Sequence, residues 1–88
     1  MSIPRLSITI ITFNEEENIR DCLENINWAD EIIVVDSFST DRTVEICRQY
    51  TDKVIQRKWP GHVDQKQFAL EQAVGGWILS LDADERLS

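Results

Sequence analysis

The chain has 88 residues, enough for one small domain, and its apolar (42%) and charged (28%) fractions are those of a globular protein. Acids outnumber bases by 16 to 9, and the net charge of −7 disfavours binding to nucleic acid. No apolar run approaches the roughly 20 residues that a membrane span needs, and two cysteines do not make a disulfide framework. We therefore expect a cytoplasmic protein with reduced thiols and no membrane span in this segment.

The first half of the chain alternates strand-like and helix-like patterns. The β-branched run at 6–13 (LSITIITF) predicts a buried strand, and Asn14 with Glu17 three residues later predicts the N-cap of a helix. The inner face of that helix is expected to carry Ile19, Cys22, Leu23 and Ile26. The short run 32–35 (IIVV) predicts a second strand, buried on both faces, and a polar turn follows at 37–41.

The second half continues the alternation. We predict a helix over 42–50, a weaker strand over 53–59, a third helix over 63–74 that stops at the glycines 75–76, and a fourth strand over 77–81. The inner faces of these two helices are expected to carry Val44, Cys47, Ala69, Leu70 and Ala73. The order β-α-β-α-β-α-β predicts a Rossmann-like, three-layer α/β/α fold around a mainly parallel sheet.

Polar side chains follow the predicted strands at their carboxyl ends, where open parallel sheets bind ligands. The ends are residues 12–14 (TFN) of the first strand, 36–37 (DS) of the second, 57–58 (RK) of the third and 82–84 (DAD) of the fourth, among them the candidate site residues Thr12, Phe13, Asn14, Asp36 and Asp82. Because these ends meet at one edge, we expect the polar groups to converge around a shared hollow. A carboxylate such as Asp36 could accept a hydrogen bond from a base imide or a ribose hydroxyl, or could serve only in an Asx-turn or as the N-cap of the next helix.

Asp82 and Asp84 are the sharpest of these features. Two carboxylates at i and i+2 of an extended chain lie on one side, with their Cα atoms roughly 6–7 Å apart. Mg²⁺ and Mn²⁺ take such oxygen ligands together with phosphate oxygens and water, and the ion would stabilise a departing diphosphate. A solvated turn is the alternative for this pair.

Further along the chain, single residues leave two interpretations open. Lys66, in the first turns of the third helix, could reach a phosphate or a nucleobase carbonyl, or could remain solvated. Trp28, Trp59 and Trp77 are expected to pack, although Trp59 could instead line a pocket. Both cysteines are expected to be buried thiols rather than nucleophiles. The sequence lacks the glycine-rich motifs of dinucleotide-binding folds and P-loop ATPases and the nucleophile elbow of α/β-hydrolases.

Three segments resemble family-2 glycosyltransferases of GT-A fold: 10–16 (IITFNEE), 33–41 (IVVDSFSTD) and 79–85 (LSLDADE). Members of that family typically carry Thr-Tyr-Asn-Glu, Val-Asp-Asp-Gly-Ser-Thr-Asp and Asp-x-Asp at these places. The tract 59–70 (WPGHVDQKQFAL) resembles the branch that glycosylates the lipopolysaccharide inner core.

The resemblance implies that residues 1–88 are the nucleotide-sugar-binding part of a metal-dependent, inverting glycosyltransferase domain, with the acceptor half and the catalytic base beyond Ser88. The donor, expected to be a UDP-sugar, would contact Thr12, Phe13, Asn14, Asp36, Lys66 and Asp82. Asp84, together with Asp82, would hold Mn²⁺ or Mg²⁺. The acceptor would be a saccharide or lipid-linked molecule, and the enzyme would work in the cytoplasm or at the inner face of the membrane. The 88 residues alone are not expected to turn over substrate.

Two departures from the family pattern stand side by side: Ser37 replaces the second Asp, and Phe38 replaces the Gly. The second change has little consequence if Phe38 keeps a negative φ. Strands left at the edge of the sheet could allow self-association. The alternatives to a glycosyltransferase are a nucleotidyltransferase-like domain, a phosphatase of the haloacid-dehalogenase type, a receiver-type signalling module, or a purely structural fragment.

Overall fold

The computed structural model describes residues 5–82, with the backbone but not the side chain of His62. Strands and helices alternate along this part of the chain as predicted. Their bounds are β1 (Leu6–Thr12), α1 (Glu16–Ile26), β2 (Glu31–Asp36), α2 (Thr43–Cys47), β3 (Val54–Gln56), α3 (His62–Gln72) and β4 (Trp77–Asp82). None of these helices is long and apolar enough to cross a membrane.

Within residues 5–82 the strands form one parallel sheet in the order β3-β2-β1-β4. Helices α1 and α2 pack on one face of the sheet, here called the α1/α2 face, and α3 packs on the other, the α3 face. The predicted three-layer α/β/α fold is therefore confirmed. Strand order reverses between β1 and β4, and a reversal of this kind is where open α/β sheets bind ligands.

Successive residues of each strand supply the two core layers in turn, because side chains alternate between the faces of a sheet. On the α1/α2 face, Ile8, Ile10 and Val34 pack against Ile19 and Leu23 of α1. Each fully buried aliphatic side chain of this kind stabilises the fold by about 1.5–3 kcal/mol relative to an exposed one. The smaller layer on the α3 face consists of Ile11, Ile33, Val35 and Ala69.

Helix α1 begins differently from the prediction. Glu15 is its N-cap position, and Asn14 adopts a left-handed backbone with a φ of 51°. The first residue of α2 and the loop before it supply the missing acceptors: the N–H of Glu15 donates to Thr43 Oγ1 at 2.8 Å, and the N–H of Glu16 donates to Asp41 Oδ2 at 3.2 Å. The predicted N-cap is therefore wrong, because tertiary contacts satisfy these N–H groups in place of a local side chain.

Both β3 and α2 are shorter than the sequence predicts. Strand β3 lies at the edge of the sheet, and its ladder with β2 runs only from Val54 to Gln56. Helix α2 ends at Cys47, after which the N–H groups of Gln49 and Tyr50 donate to carbonyls three residues back. This tightening into a 3₁₀-type turn is common at helix ends and shortens the regular helix.

The tryptophans and cysteines differ in how well their burial was predicted. Trp28 and Trp77 are 60% and 77% exposed, so the prediction that they pack is wrong.

Cys22 and Cys47 are free and buried, as expected. Burial, reinforced by the negative charge of Asp36, raises the pKa of the Cys47 thiol to about 12. This thiol is therefore neutral at physiological pH and unsuited to act as a nucleophile.

At the amino-terminal edge of the sheet, the buried Glu31 ties three segments together. Its Oε1 accepts the Ser7 hydroxyl at 2.6 Å and the N–H of Val74 at 3.0 Å, while Lys53 pairs with Oε2. Ser7 Oγ in turn accepts the N–H of Gly75, where a Cβ would lie 2.5 Å from that oxygen. Burial opposes the charge on Glu31, but the hydrogen bonds outweigh it and hold the pKa of this carboxyl below its usual value.

Glu31→Gln is expected to lower the free energy of unfolding by about 1–3 kcal/mol at neutral pH, because bonds to a buried charged acceptor are lost. Since folding lowers the pKa of Glu31, its stabilisation is present above the unfolded-state pKa of about 4.3 and is lost as the pH falls below it. Urea unfolding between pH 7 and pH 3 should therefore show a steeper acid loss for the wild type than for the variant.

Lys53→Met is the matched control for this experiment. The Lys53 side chain is 52% exposed, so removing it should cost less than about 1 kcal/mol. If the wild type and Glu31→Gln lost stability equally at acid pH, Glu31 would not hold these three segments together through its charged carboxylate.

Candidate functional site

The predicted site residues lie at the carboxyl ends of β1, β2 and β4, but they divide between the two faces of the sheet. Thr12 pairs with Asp36, and Ile11 pairs with Asp82. Because paired residues share a face and neighbours along a strand alternate, Thr12 and Asp36 point to the α1/α2 face whereas Asp82 points to the α3 face. The expectation that Asp36 and Asp82 share one hollow is therefore wrong.

Asp36 is fully buried and stands at the centre of a hydrogen-bonded group, the Asp36 cluster, that also contains Thr12, Ser39 and Gln56. Its Oδ1 accepts the hydroxyls of Thr12 at 2.6 Å and Ser39 at 2.5 Å. Its Oδ2 accepts the N–H of Ser39 at 2.8 Å and Gln56 Nε2 at 3.5 Å. The carboxylate therefore fastens the loop after β2 to the ends of β1 and β3, which is the turn-forming alternative considered for this residue.

Asn14 joins the loop after β1 to the loop after β2. Its backbone N–H donates to Ser39 Oγ at 2.8 Å, and its Oδ1 accepts the N–H of Thr40 at 2.8 Å. Asparagine tolerates the left-handed backbone found here better than most residues do. The observed role of Asn14 is thus to hold the two loops together, and its contact with a donor stays a prediction.

Phe38 has a φ of 58°, so the condition under which replacing the family's Gly would have little consequence is not met. A left-handed backbone costs an L-residue with a Cβ roughly 1–2 kcal/mol. The Phe38 side chain is 54% exposed, so its burial offsets only part of that cost.

Phe38→Gly is expected to raise the free energy of unfolding by about 0.5–1 kcal/mol, because the relief of strain exceeds the entropy that glycine adds to the unfolded chain. Urea unfolding would measure the change. The control is Phe38→Ala, which keeps the Cβ and should be no more stable than the wild type. A glycine variant less stable than the alanine variant would argue against strain at this position.

A cavity of about 370 Å³ opens on the α3 face, and its described walls include Phe13, Ser37 and Trp59. Phe13 is 55% exposed and Trp59 is 49% exposed, so both rings present surface on which a flat ligand could stack. Ser37 follows Asp36 directly, so its side chain points to the opposite face of the sheet, where it forms part of the cavity wall. Trp59 thus lines a pocket, the second of the two roles predicted for it.

Two further residues lie behind this cavity: Arg57, which the sequence places at the carboxyl end of the third strand, and Gln65, to which the sequence assigned no role. Arg57 Nη1 donates to Gln65 Oε1 at 3.1 Å, and Gln65 Nε2 donates to Ser37 Oγ at 3.1 Å. The Arg57 guanidinium also lies 4.3 Å from the centroid of the Phe68 ring. Gln65 is fully buried. The signal that could have identified it is its spacing from Phe68 and Ala69, which puts an amide on the inner stripe of α3 where an apolar residue is expected.

The structure brings two predicted residues, Lys66 and Asp82, together on the α3 face. Lys66 Nζ lies 3.6 Å from Asp82 Oδ1, and the two side chains are 33% and 36% exposed. An ammonium group here can pair with a phosphate, and a carboxylate can bind a divalent cation. Asp84, the other predicted metal ligand, lies outside the described residues. Within residues 5–82, no group of three His, Cys, Asp or Glu side chains is placed to hold a metal ion.

The parallel sheet carries an aromatic-walled cavity and a Lys–Asp pair at the carboxyl ends of its strands, which is where open α/β domains bind ligands. The profile of the family described as "Glycosyl transferase family 2" matches residues 7–88. The chain therefore belongs to glycosyl transferase family 2, as its three motif segments predict.

Known proteins show the same likeness over nearly the whole chain. It is 41% identical to the lipopolysaccharide core biosynthesis glycosyltransferase LpsC of Rhizobium meliloti, across 97% of this chain and 34% of LpsC. The mannosyltransferase PcManGT from Pyrobaculum calidifontis, solved with GDP-Man and Mn²⁺, superposes with a TM-score of 0.81 at 26% identity, over 98% of this chain and 29% of PcManGT.

A second solved structure, S. aureus TarS (1-349) in complex with UDP, superposes with a TM-score of 0.75 at 26% identity, over 93% of this chain and 28% of that one. These superpositions confirm the predicted GT-A-type fold. The chain spans about three tenths of the length of curated relatives that it matches, 29% and 30% for two glycosyltransferases of Rickettsia typhi and Rickettsia felis.

Proposed function

We propose that this chain is the donor-binding part of an enzyme that transfers a sugar from a nucleotide-sugar to an acceptor, with inversion at the anomeric carbon. The observation that carries the proposal is the placement of the aromatic cavity and the Lys66–Asp82 pair on one face and at one edge of the sheet. The α3 face thus offers both aromatic rings on which a base could stack and charges suited to a diphosphate.

The nucleobase would stack on Phe13 and Trp59, with Ser37 at its edge. Base–aromatic stacking contributes about 1–3 kcal/mol per base where it has been tested by substitution. Lys66 would pair with a phosphate oxygen, because an ammonium group attracts the negative charge of the diphosphate.

The proposal does not include a direct contact between Asp36 and the donor, which the family resemblance implies. The Asp36 carboxylate is buried in the Asp36 cluster, whereas Ser37 faces the cavity. We assign the contact with the base edge to Ser37. Asp36, with Thr12 and Asn14, would shape the loops that carry Phe13 and Ser37.

Asp82, together with Asp84, would hold Mn²⁺ or Mg²⁺. The Asp82 carboxylate fits such an ion, since it is a partly exposed oxygen donor at the carboxyl edge, and these ions need only one or two carboxylates when phosphates and water complete the shell. When bound, the ion would offset the charge that develops on the leaving diphosphate. The presence of Mn²⁺ with GDP-Man in PcManGT supports a metal, and UDP in TarS supports a UDP-sugar donor.

The acceptor is proposed to be a saccharide or lipid-linked molecule of the cell envelope, and the likeness to LpsC favours the lipopolysaccharide core. We place the reaction in the cytoplasm or at the inner face of the membrane. The two free cysteines fit a reducing compartment of this kind.

Titration of the chain with UDP in the presence of Mn²⁺, followed by tryptophan fluorescence and calorimetry, tests the proposal. We expect saturable binding that weakens at least about tenfold when EDTA removes the metal. Trp59→Phe should remove most of the fluorescence change while calorimetry still detects binding, because Trp59 lines the cavity. A response to nucleoside triphosphates alone would favour nucleotidyl transfer, and no response to any nucleotide would refute donor binding.

A further inference from the structure

The side chains behind the cavity form a short chain of hydrogen bonds that ends in its wall. Arg57 donates to Gln65 Oε1, and Gln65 Nε2 donates to Ser37 Oγ, each at 3.1 Å. Gln65 is 0% exposed and Ser37 is 8% exposed, so water scarcely competes for these bonds. Arg57 is in turn held by its contact with the Phe68 ring at 4.3 Å.

We call this hydrogen-bonded chain of Arg57, Gln65 and Ser37 the relay. Which atom donates and which accepts at each of its hydrogen bonds follows from the chemistry of the three side chains. A guanidinium group donates hydrogen bonds and cannot accept them, so the oxygen of the Gln65 amide must face Arg57. The amide nitrogen must then face Ser37, and because it too only donates, Ser37 Oγ is the acceptor. The hydroxyl proton of Ser37 is therefore directed to some other acceptor, and Ser37 lies in the wall of the cavity.

We propose that Arg57 and Gln65 are positioning residues that turn the Ser37 hydroxyl into a hydrogen-bond donor toward the bound base, so that the cavity selects keto nucleobases over amino nucleobases. This inference rests on the proposed function. With the ring held by Phe13 and Trp59, Ser37 would meet the edge opposite the glycosidic nitrogen. Uracil has a carbonyl oxygen there, which accepts a hydrogen bond, whereas cytosine has an amino group, which donates one.

A mismatch at this edge would be costly because the Ser37 side chain is buried. An amino group facing the Ser37 proton sets donor against donor, and a site built for one hydrogen-bond pattern rejects the other strongly. We therefore expect the wild type to bind UDP at least about tenfold more tightly than CDP in the presence of Mn²⁺.

Gln65→Glu provides the sharpest test, because it reverses the relay with almost no change in shape. A carboxylate at 65 accepts from Arg57 and from Ser37 alike, so the Ser37 proton turns inward and its lone pairs face the base. The preference for UDP over CDP, measured by calorimetry, should fall about tenfold or more and approach or pass equality. Gln67→Glu, at an exposed position two residues away on α3, adds the same charge and should leave the preference unchanged.

Ser37→Ala completes a double-substitution cycle. Ser37→Ala alone should reduce the preference for UDP over CDP to within about threefold of equality. Adding Gln65→Glu to Ser37→Ala should change the preference no further, because the hydroxyl that contacts the base is already absent. If Gln65→Glu does not fold by circular dichroism, the comparison of wild type with Ser37→Ala still tests the inference.

Three outcomes would overturn the proposal, and they are distinguishable. Tight binding of both nucleotides with no preference in the wild type refutes keto selection while donor binding stands. A wild-type preference that survives both Gln65→Glu and Ser37→Ala assigns the selectivity to other residues. Absence of nucleotide binding by the wild type removes the proposed function and this inference with it.

Discussion

Asp36→Asn is expected to unfold with a free energy about 3–5 kcal/mol below that of the wild type at pH 7. The Asp36 carboxylate is 0% exposed and accepts hydrogen bonds from Thr12, Ser39 and Gln56. An asparagine amide turns an N–H₂ group toward some of these donors and leaves them unpaired. Since a chain of 88 residues has a total stability of about 4–13 kcal/mol, much of it should be lost. Urea unfolding followed by far-UV circular dichroism would measure the change.

The control for this prediction is Asp52→Asn, which makes the same chemical change at an exposed acid. Its stability should stay within about 0.5 kcal/mol of the wild type. If Asp36→Asn kept the wild-type unfolding midpoint and yet no longer bound UDP, the cluster would not be its main role. Asp36 would then return to the direct donor contact that the motif segments predict.

Asp82→Asn is expected to weaken Mn²⁺-dependent binding of UDP at least about tenfold, because a neutral amide is a poorer ligand for a hard cation than a carboxylate is. Stability should change by less than about 1 kcal/mol, since the Lys66–Asp82 pair is about one-third exposed and screened by solvent. Calorimetry with and without EDTA would measure UDP binding in the absence and in the presence of Mn²⁺. Without metal, the variant and the wild type should bind UDP with similar affinity.

Asp64→Asn, at an exposed acid in the first turn of α3, is the matched control and should keep the full stimulation by Mn²⁺. Asp84→Asn should behave like Asp82→Asn if the two acids bind the ion together. Undiminished stimulation by Mn²⁺ in Asp82→Asn would show that this carboxylate is no metal ligand.

Apolar patterning was enough to predict the fold. The β-branched runs at 6–13 and 32–35 became β1 and β2, and the helical spacing of Ile19, Leu23 and their neighbours became the inner face of α1. The bounds of a strand or helix were less predictable where contacts with other elements determine where it begins or ends. Strand β3 has only the three residues that pair with β2, and the entry to α1 depends on Thr43 and Asp41 rather than on Asn14.

The candidate site divides in the same way. Phe13, Lys66 and Asp82 were predicted from their places at strand ends and on α3; Phe13 lines the cavity, and Lys66 pairs with Asp82. Asp36 and Ser37 are neighbours in sequence, and only the pleat of β2 decides which of the two faces the cavity. Gln65 lies within the tract 59–70, but its role could not be predicted, because it depends on contacts with Arg57 and Ser37, which lie 8 and 28 residues away.

The amino-acid sequence by itself determined the kinds and order of the elements, the parallel sheet they build and the family to which the chain belongs, because periodicity and motif spacing are local properties. Only the tertiary structure decided which polar side chains serve the fold and which face a ligand. The physical reason is that a buried polar group is satisfied by whatever donor or acceptor the packing brings within about 3 Å, and those partners come from other strands and loops.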